Sequence, residues 1–341
     1  MEEKRNFDLL TLGQVLLRLS PPNNYQLVRG DTFVKQVGGA ELNVVGVALL
    51  GLRTGVISKL PSHDMGSFMK GKIRSYGVSD DFFMYDDSPS ARVGIYYYEN
   101  GAYPRKPKVI YDRANSSFYS LKIDEIPEKA YTASRCFHTS GITLALSPKV
   151  RETAIEMIKR FKAAGTLVSF DVNFRGNLWT GEEAKECIEQ ILPYVDIFFC
   201  SEDTARLTFK KTGTAREMMK SFTEEYPISI VASTQRIVHS PKSHTFGSII
   251  YDARKDIYYE EEPYRDIDVV DRIGSGDAYI SGALYGLLTS DFDCEKAVRY
   301  GNATSAVKNT IPGDLPSSDL EEIETIIKAH NQTGFQSEMA R

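Results

Sequence analysis

Between residues 135 and 232 the sequence alternates short apolar segments with longer amphipathic ones, and this alternation limits the fold more than any other feature. Residues 167–173 and 195–200 are typical of buried strands, and residues 148–164 carry apolar side chains at helical spacing. Strands that alternate with helices build a parallel sheet with helices on both of its faces. The sequence therefore predicts an α/β fold with a central, mostly parallel sheet.

Polar side chains follow two of these predicted strands. One strand ends in Asp171 and Asn173 and is followed by Arg175, and Ser201 and Glu202 come after the next strand. Ligands of such sheets bind outside the carboxyl ends of the strands. We therefore expect a small-molecule site at this edge of the sheet.

A glycine-bordered carboxylate precedes a buried helix near the C-terminal end. Gly274, Ser275, Gly276 and Asp277 lead into an apolar segment with helical spacing. The glycines allow a close approach of the backbone to a ligand, and the free N–H groups of a helix start attract an anion such as a phosphate. Asp277 could then accept a proton from a substrate hydroxyl. The alternative is an ordinary turn in which Asp277 caps the helix.

Two further glycines, Gly38 and Gly39, precede a small apolar helix that contains Asn43. They again allow close backbone approach to a ligand. A buried Asn needs hydrogen-bond partners, and Asn43 could equally tie down a neighbouring loop.

Two β-like runs, residues 91–98 and 108–111, predict a hairpin-like pair with a Gly-containing link. Aromatic residues on strands usually pack against neighbours. Together with a nearby Arg they also suit the polar wall of a small-molecule cleft. The side chains concerned are Tyr96, Tyr98, Tyr111 and Arg113.

Composition narrows the function classes. The 341 residues carry a net charge of −5 and no long basic block, which argues against nucleic-acid binding. We find no apolar stretch long enough for a membrane span and no signal peptide. The four cysteines lack metal-ligand spacing, so the cytoplasm is the expected compartment. We expect one compact domain over residues 1–330 and a frayed tail over residues 331–341.

Two motifs at opposite ends of the chain carry a resemblance to a known family. Residues 38–43 (Gly-Gly-Ala-Glu-Leu-Asn) and 271–278 (Asp-Arg-Ile-Gly-Ser-Gly-Asp-Ala) resemble signatures of the ribokinase-like, or pfkB, sugar kinases. Within that family the chain looks most similar to 2-keto-3-deoxygluconate kinases, on the basis of residues 38–43, Tyr96 and residues 111–113, 140–143 and 171–175.

The resemblance implies a Rossmann-like core with a small β-sheet lid, which we expect at about residues 14–34 and 91–115. It implies an enzyme that uses ATP and Mg²⁺ to phosphorylate a primary hydroxyl. The expected reaction converts 2-keto-3-deoxygluconate into its 6-phosphate. The resemblance also implies a homodimer in which the lids pack together.

The resemblance also assigns site residues one by one. Asp277 matches the catalytic base, and Gly274, Ser275 and Gly276 match the anion hole for the transferring phosphate. Ser201 and Asn302 match the nucleotide side. The sugar-acid side is matched by Gly38, Gly39, Asn43, Tyr96, Tyr111, Arg113 and Arg175.

The residue types suggest how a sugar acid and a metal would be held. Arg113 and Arg175 are candidates for the substrate carboxylate, because Arg binds a carboxylate through two parallel hydrogen bonds. Each could instead form a structural salt bridge. Mg²⁺ keeps several waters, so few protein ligands are expected, with Glu202 as a candidate.

The chain departs from the family pattern at two places. Arg272 and Ile273 stand where the family commonly has Thr-Thr, and Ser275 replaces the usual alanine. Residues 233–244, which include a loop-like stretch at residues 240–243, stand where the family usually has a Gly-rich turn. We hypothesise that Arg236 or Lys242 supplies positive charge to the phosphates in its place.

Other functions remain open at this stage. The chain could be a kinase for a neutral sugar, such as fructose or ribose, or for a nucleoside. It could also be a sugar-binding protein that has lost catalysis, which the departure at residues 233–244 favours and Asp277 disfavours. A dinucleotide-dependent oxidoreductase lacks support, because Gly13-Gln-Val-Leu follows the first strand instead of Gly-x-Gly-x-x-Gly.

Overall fold

The computed structural model of the chain describes residues 5–330, so the predicted tail at residues 331–341 lies outside the described residues. The strands are β1 (Phe7–Leu12), β2 (Leu16–Ser20), β3 (Val34–Gly38), β4 (Thr54–Pro61), β5 (Phe83–Asp86), β6 (Gly94–Glu99), β7 (Lys108–Asp112), β8 (Ser134–Ser140), β9 (Leu167–Asp171), β10 (Ile197–Phe199), β11 (Ile230–Ser240), β12 (Ser243–Asp252), β13 (Ile257–Glu260) and β14 (Tyr264–Asp268).

The α-helices are α1 (Ala40–Val45), α2 (Asp64–Ser75), α3 (Gly141–Ala145), α4 (Pro148–Ala163), α5 (Gly181–Glu189), α6 (Glu202–Leu207), α7 (Ala215–Glu225), α8 (Ser275–Leu288), α9 (Cys294–Asn309) and α10 (Leu320–His330). Short 3₁₀ helices occupy Gly46–Leu50, Ser117–Ser120, Ile123–Glu125, Glu128–Ala130 and Leu192–Tyr194. Within residues 5–330, no helix combines the length and the apolar character that crossing a bilayer requires.

The main sheet has ten strands in the order β13-β12-β11-β10-β9-β8-β1-β4-β5, with β14 paired to β12. The strands from β11 across to β5 pair in parallel. The strands β12, β13 and β14 add an antiparallel edge. The predicted α/β fold with a mostly parallel sheet is thereby confirmed.

Helices cover both faces of the main sheet. Leu9 of β1 belongs to a core that includes side chains of α8 and α9. Its neighbour Leu10 belongs to a second core, which includes side chains of α4, α5 and α7. Because successive side chains of a strand point to opposite faces, the two cores lie on opposite sides of the sheet.

Residues 233–244 lie mostly in two strands, and the turn between these strands falls within the loop-like residues 240–243. The strand β11 continues to Ser240 and β12 begins at Ser243, so the two strands form a long antiparallel hairpin. Residues 235–239 are exposed, because this half of β11 extends beyond the cores. This half of the strand combines polar residues with Ile237 and Val238, which are 58% and 52% exposed, so it lacks the alternation of apolar and polar residues that indicates a strand.

A second sheet of four strands has the order β3-β2-β6-β7. The central pair, β2 and β6, is parallel, and the outer strands are antiparallel to their neighbours. This sheet corresponds to the predicted small β-sheet, and we call it the lid. The strand β3 extends to Gly38, beyond the expected boundary at residue 34.

Candidate active site

A cavity of about 710 Å³ lies between the lid and the carboxyl ends of the parallel strands. Asp171 and Ser201 line it from the ends of β9 and β10, and Tyr96 lines it from the lid. The start of α8 forms a further wall. A ligand site in a sheet of this kind is expected at such an edge.

The helix α8 begins at the cavity without a side-chain cap among the described residues. Gly274 precedes it with a φ of +80°, and a Cβ there would lie 1.9 Å from the carbonyl oxygen of Asp314. A Cβ at Gly276, in contrast, would meet nothing within 4 Å. Open space therefore faces the first N–H groups of the helix, an arrangement that attracts an anion. We call residues 273–276 the cradle.

Asp277 lies in the first turn of α8 and lines the cavity. The Nδ2 atom of Asn43 donates a hydrogen bond to its Oδ2 atom at 2.7 Å. Burial raises the pKa of Asp277 to about 6, although the bond from Asn43 and the charge of Arg175 act in the opposite direction. A carboxyl group with such a pKa suits a general base near neutral pH. Asn43 therefore contacts the predicted base instead of a neighbouring loop.

A second carboxyl group, that of Asp171, lines the same cavity. Its Oδ1 atom accepts a hydrogen bond from the backbone N–H of Asn173 at 3.1 Å. Burial, and then the negative charge of Asp277, raise the pKa of Asp171 to about 7. Two carboxyl groups that interact in this way titrate as a pair.

The cavity is also lined by Arg113, Arg175, Arg236 and Arg272. None of these four guanidinium groups forms an ion pair with a carboxylate of residues 5–330. Burial lowers the pKa of Arg236, and the charges of Arg272 and Arg175 lower it further. These guanidinium groups therefore repel one another, although the carboxyl groups of Asp171, Asp203, Asp277 and Asp314 line the same cavity. An anionic ligand bound between the arginines would reduce this repulsion.

The lid and the segment after β9 form the predicted sugar side. The ring of Tyr96 lies 5.8 Å from that of Tyr111, between centroids. The Nε atom of Arg113 donates to the Oε1 atom of Gln14 at 2.7 Å, which orients the guanidinium. Arg175 is exposed at the other wall. Gly39 and Asn43 complete this group of cavity residues.

On the predicted nucleotide side, Ser201 lines the cavity and caps α6 by accepting a hydrogen bond from the N–H of Thr204 at 3.3 Å. Arg236 reaches the cavity from the exposed half of β11. Lys242 lies in the turn between β11 and β12 and does not line the cavity. Of the two cations suggested by the sequence, the structure brings only Arg236 to the site.

Three other predicted site residues do not line the cavity. A Cβ at Gly38 would lie 2.0 Å from the Oδ2 atom of Asp314, so this glycine serves packing. Asn302 is buried in α9 and accepts a hydrogen bond from β12 at 2.7 Å. Glu202 is paired with Arg206 on α6 at 2.8 Å. Each of them forms a contact within the protein, and its predicted ligand contact stays a prediction.

Several cavity residues are absent from the predicted site. The sequence does mark Asp171 as a strand-end residue and Arg272 as a departure from the family pattern, and these are signals that could identify them. Asp314 follows a Pro-Gly break and has no local signal. The additional polar residues include Asp171, Asn173, Asp203, Thr204, Thr234, Arg272 and Asp314.

Acidic residues near the cavity do not form a metal centre by themselves. Among residues 5–330 there is no group of three or more His, Cys, Asp or Glu side chains that could hold a metal ion. This donor set fits Mg²⁺ held mainly by water and by a ligand's phosphates, because Mg²⁺ is usually bound through one or two carboxylates.

Comparison with known proteins agrees with this geometry. Residues 6–319 match the protein family described as "pfkB family carbohydrate kinase". A 2-dehydro-3-deoxygalactonokinase from Haloferax volcanii is 33% identical over 94% of this chain and 96% of its own length. A 5-dehydro-2-deoxygluconokinase from Listeria monocytogenes is 27% identical over 95% of this chain and 97% of its own.

A solved structure of a related kinase is similar to this chain in fold and in sequence. The 2-dehydro-3-deoxygluconokinase from Thermotoga maritima superposes with a TM-score of 0.89 and 31% identity, covering 94% of this chain and 99% of its own. Both the family match and the similarity to these relatives extend over nearly the whole chain. The chain therefore belongs to the pfkB family of carbohydrate kinases, which transfer a phosphoryl group to an alcohol of a sugar.

Proposed function

We propose that this kinase transfers the γ-phosphoryl group of ATP to the primary hydroxyl of a 2-keto-3-deoxy sugar acid, and that it converts 2-keto-3-deoxygluconate into its 6-phosphate. The observation that carries the proposal is a single cavity that combines Asp277 with four unpaired arginines. Such a site suits two anionic ligands, one a sugar acid and the other a nucleoside triphosphate.

The preference for an acidic sugar rests on Arg113. Burial lowers the pKa of this guanidinium, and its side chain donates to the neutral Gln14. A buried charge without an opposite charge is costly, so a substrate carboxylate would stabilise it. Arg175, on the opposite wall, provides a second guanidinium. A neutral sugar would leave the Arg113 guanidinium without an anionic partner, whereas the exposed Arg175 would remain in contact with solvent.

Asp277 and the cradle would perform the chemical step. The carboxylate of Asp277 accepts the proton of the primary hydroxyl as that oxygen attacks the γ-phosphorus, and the bond to the leaving ADP breaks. The N–H groups of the cradle hold the phosphoryl oxygens. Asn43 keeps the carboxylate oriented through its 2.7 Å hydrogen bond. General-base removal should lower turnover by about 10²- to 10⁴-fold.

The donor side would use arginines to bind the phosphates. Arg236 and Arg272 line the cavity, and Arg272 immediately precedes the cradle. Mg²⁺, when bound with ATP, neutralises charge on the phosphates. We assign Asp203 to the water shell of the metal, because Asp203 lines the cavity and Glu202 does not.

A second candidate substrate is 2-keto-3-deoxygalactonate, the C4 epimer. The observation that favours it is the 33% identity to the enzyme from Haloferax volcanii. Both acids carry the carboxylate and the primary hydroxyl on which the proposal depends, so the arginines do not separate them.

The test is ADP release by the purified full chain with ATP, Mg²⁺ and a panel of acceptors. The panel contains both keto-deoxy acids, 5-keto-2-deoxygluconate, fructose, ribose and a nucleoside, and Asp277→Asn is the matched inactive control. We expect kcat/KM for a keto-deoxy acid to exceed that for each neutral acceptor by about 10²-fold or more. A neutral acceptor with a higher kcat/KM than both keto-deoxy acids would refute the proposal.

We also propose a homodimer formed through the lid in the cytoplasm. The strand β7 exposes Val109, Ile110 and Tyr111 by 40%, 55% and 44%, and contact with a second copy would bury this apolar edge. The four cysteines are free thiols, as expected in a reducing compartment. Light scattering should give the mass of a dimer, and Ile110→Asp should shift it towards that of a monomer. A monomeric wild-type protein would contradict the dimer.

A further inference from the structure

A buried ion-pair network connects the lid to the segment that carries the cradle. Arg18 of β2 is 2% exposed. Its Nη2 atom donates to the Oδ2 atom of Asp271 at 2.5 Å, and its Nη1 atom donates to the Oδ1 atom of Asp314 at 2.7 Å. The Nε atom donates to the Oγ atom of Ser20 at 2.8 Å. One guanidinium thus joins the lid to two segments near the other end of the chain.

Asp271 holds the backbone at the start of the cradle. Its Oδ1 atom accepts the N–H of Ile273 at 3.1 Å, and its Oδ2 atom accepts the N–H of Gly313 at 3.0 Å. The buried ammonium of Lys308 donates to the carbonyl oxygens of Asp271 and Ile311 at 3.1 and 3.2 Å. The position of the cradle therefore depends on the charges of this network.

Asp314 contacts the sugar side and the cradle together. The hydroxyl of Tyr96 donates to its Oδ2 atom, and both residues line the cavity. Its carbonyl oxygen lies where a Cβ of Gly274 would be, at 1.9 Å. A ligand that presses on Tyr96 and the lid would consequently act on the residue against which the cradle packs.

We propose that Arg18 and Asp314 are positioning residues that couple binding of the sugar acid under the lid to the geometry of the phosphate cradle. This inference rests on the proposed function for the identity of the ligand. The coupling has a contiguous physical route, from Tyr96 through Asp314 and Arg18 to Asp271 and the N–H of Ile273. Small displacements of the phosphate-binding groups cost much activity, because catalysis requires near-attack geometry.

Charge balance determines which variants can test the coupling. The network contains two cations, Arg18 and Lys308, and two anions, Asp271 and Asp314. Removal of one charge leaves another buried and unpaired, which destabilises the fold whatever the role of the network. The double variant Arg18→Met with Asp314→Asn removes one charge of each sign and leaves Lys308 with Asp271. It therefore separates loss of coupling from loss of stability.

The control is the charge-balanced double variant Arg105→Met with Glu99→Gln. Arg105 forms an ion pair with Glu99 of β6 at 2.7 Å, and Glu99 is only 2% exposed. Glu99 lies at the end of β6 and Arg105 lies between β6 and β7, and neither residue lines the cavity. The control thus removes a partly buried lid ion pair that has no contact with the cradle.

Two measurements decide the proposal. At saturating ATP and 2-keto-3-deoxygluconate we expect the double variant to lose about 10- to 100-fold in kcat, with a change in sugar KM of less than about threefold. Hydrogen exchange of the cradle N–H groups, in the protein without ligands, should be about tenfold faster than in wild type and control. Sugar acid added without nucleotide should slow this exchange in wild type and control but not in the variant.

The results separate this inference from the proposed function. The coupling would be overturned if the double variant had the same kcat and the same hydrogen exchange of the cradle as the wild type. It would also be overturned if the wild-type protein phosphorylated the sugar acid but the sugar acid did not slow hydrogen exchange of its cradle. If wild type phosphorylates no sugar acid, the proposed function fails, while cradle exchange without ligands still decides whether Arg18 and Asp314 position the cradle. If the double variant does not fold, Arg18→Lys retains the buried charge, cannot reach both carboxylates, and allows the same comparison.

Discussion

The hydrogen bond between Asn43 and Asp277 should set the acidic limit of activity. Asn43 stabilises the charged form of the carboxyl group, and without it burial would raise the pKa of Asp277 above its value of about 6. A hydrogen bond to a charged group contributes about 1.5–3 kcal/mol, and 1.36 kcal/mol corresponds to one pKa unit. We therefore expect Asn43→Ala to move the acidic limb of kcat/KM upwards by about one pH unit, since water in the vacated space would recover part of the effect.

A second variant should move the same limb in the opposite direction. The charge of Asp277 raises the pKa of Asp171, and this repulsion is mutual. Asp171→Asn removes the like charge, so the remaining carboxyl group should ionise at lower pH. Opposite shifts from two substitutions in one cavity cannot come from a general loss of stability.

The assay is ADP release from pH 5 to 9 at constant ionic strength, with kcat/KM as the reported quantity because it reflects the ligand-free enzyme. Asn309→Ala is the matched control, since Asn309 is buried and donates to the carbonyl oxygen of Ser305 at 2.9 Å. Its acidic limb should coincide with that of wild type. An unmoved limb in Asn43→Ala, or shifts of the same sign in both cavity variants, would refute the assignment of Asp277 as the base.

Three further predictions concern the same cavity. Gly276→Ala should leave the free energy of unfolding unchanged or raise it by up to about 1 kcal/mol, because Ala favours the helix and its Cβ meets no protein atom. Its kcat should nevertheless fall, because the methyl group enters the space for the phosphate. Denaturant unfolding measures the first effect and the turnover rate measures the second. Arg175→Lys should raise KM for the keto-deoxy acid by about tenfold through loss of the bidentate geometry, while KM for ATP stays within about twofold. Asp277 binds its proton more tightly in the folded state, so its contribution to stability is present at low pH and is lost as pH rises through about 6. Asp277→Asn should therefore unfold at a higher temperature than the wild type at pH 8. The difference between the two unfolding temperatures should be smaller at pH 4.

The sequence predicts those parts of the site that depend on local rules. Alternation of strands and helices predicts the sheet, and the end of β9 marks Asp171 and Arg175 because ligands meet parallel strands there. The glycines before α8 mark the cradle for a similar local reason. The exposed half of β11 escapes prediction, since a strand that buries neither face carries no periodic signal. Arg18 and Asp314 also escape, because 296 positions separate them and only the fold joins them.

The two kinds of arginine in this protein explain why the cavity and the network beside it behave differently. Arg18 is buried between two carboxylates, whose charges raise its pKa even though burial alone would lower it. Arg236 has no such partner, and nearby guanidinium groups lower its pKa in addition to burial. We infer that the balanced charges of the network hold the cradle in position without ligand, whereas the repulsion between the cavity arginines is reduced when an anion binds. The network would thus position the phosphate-binding groups, and the cavity arginines would provide binding energy for anionic ligands. The network and the cavity adjoin at Asp314, which contacts both Arg18 and Gly274.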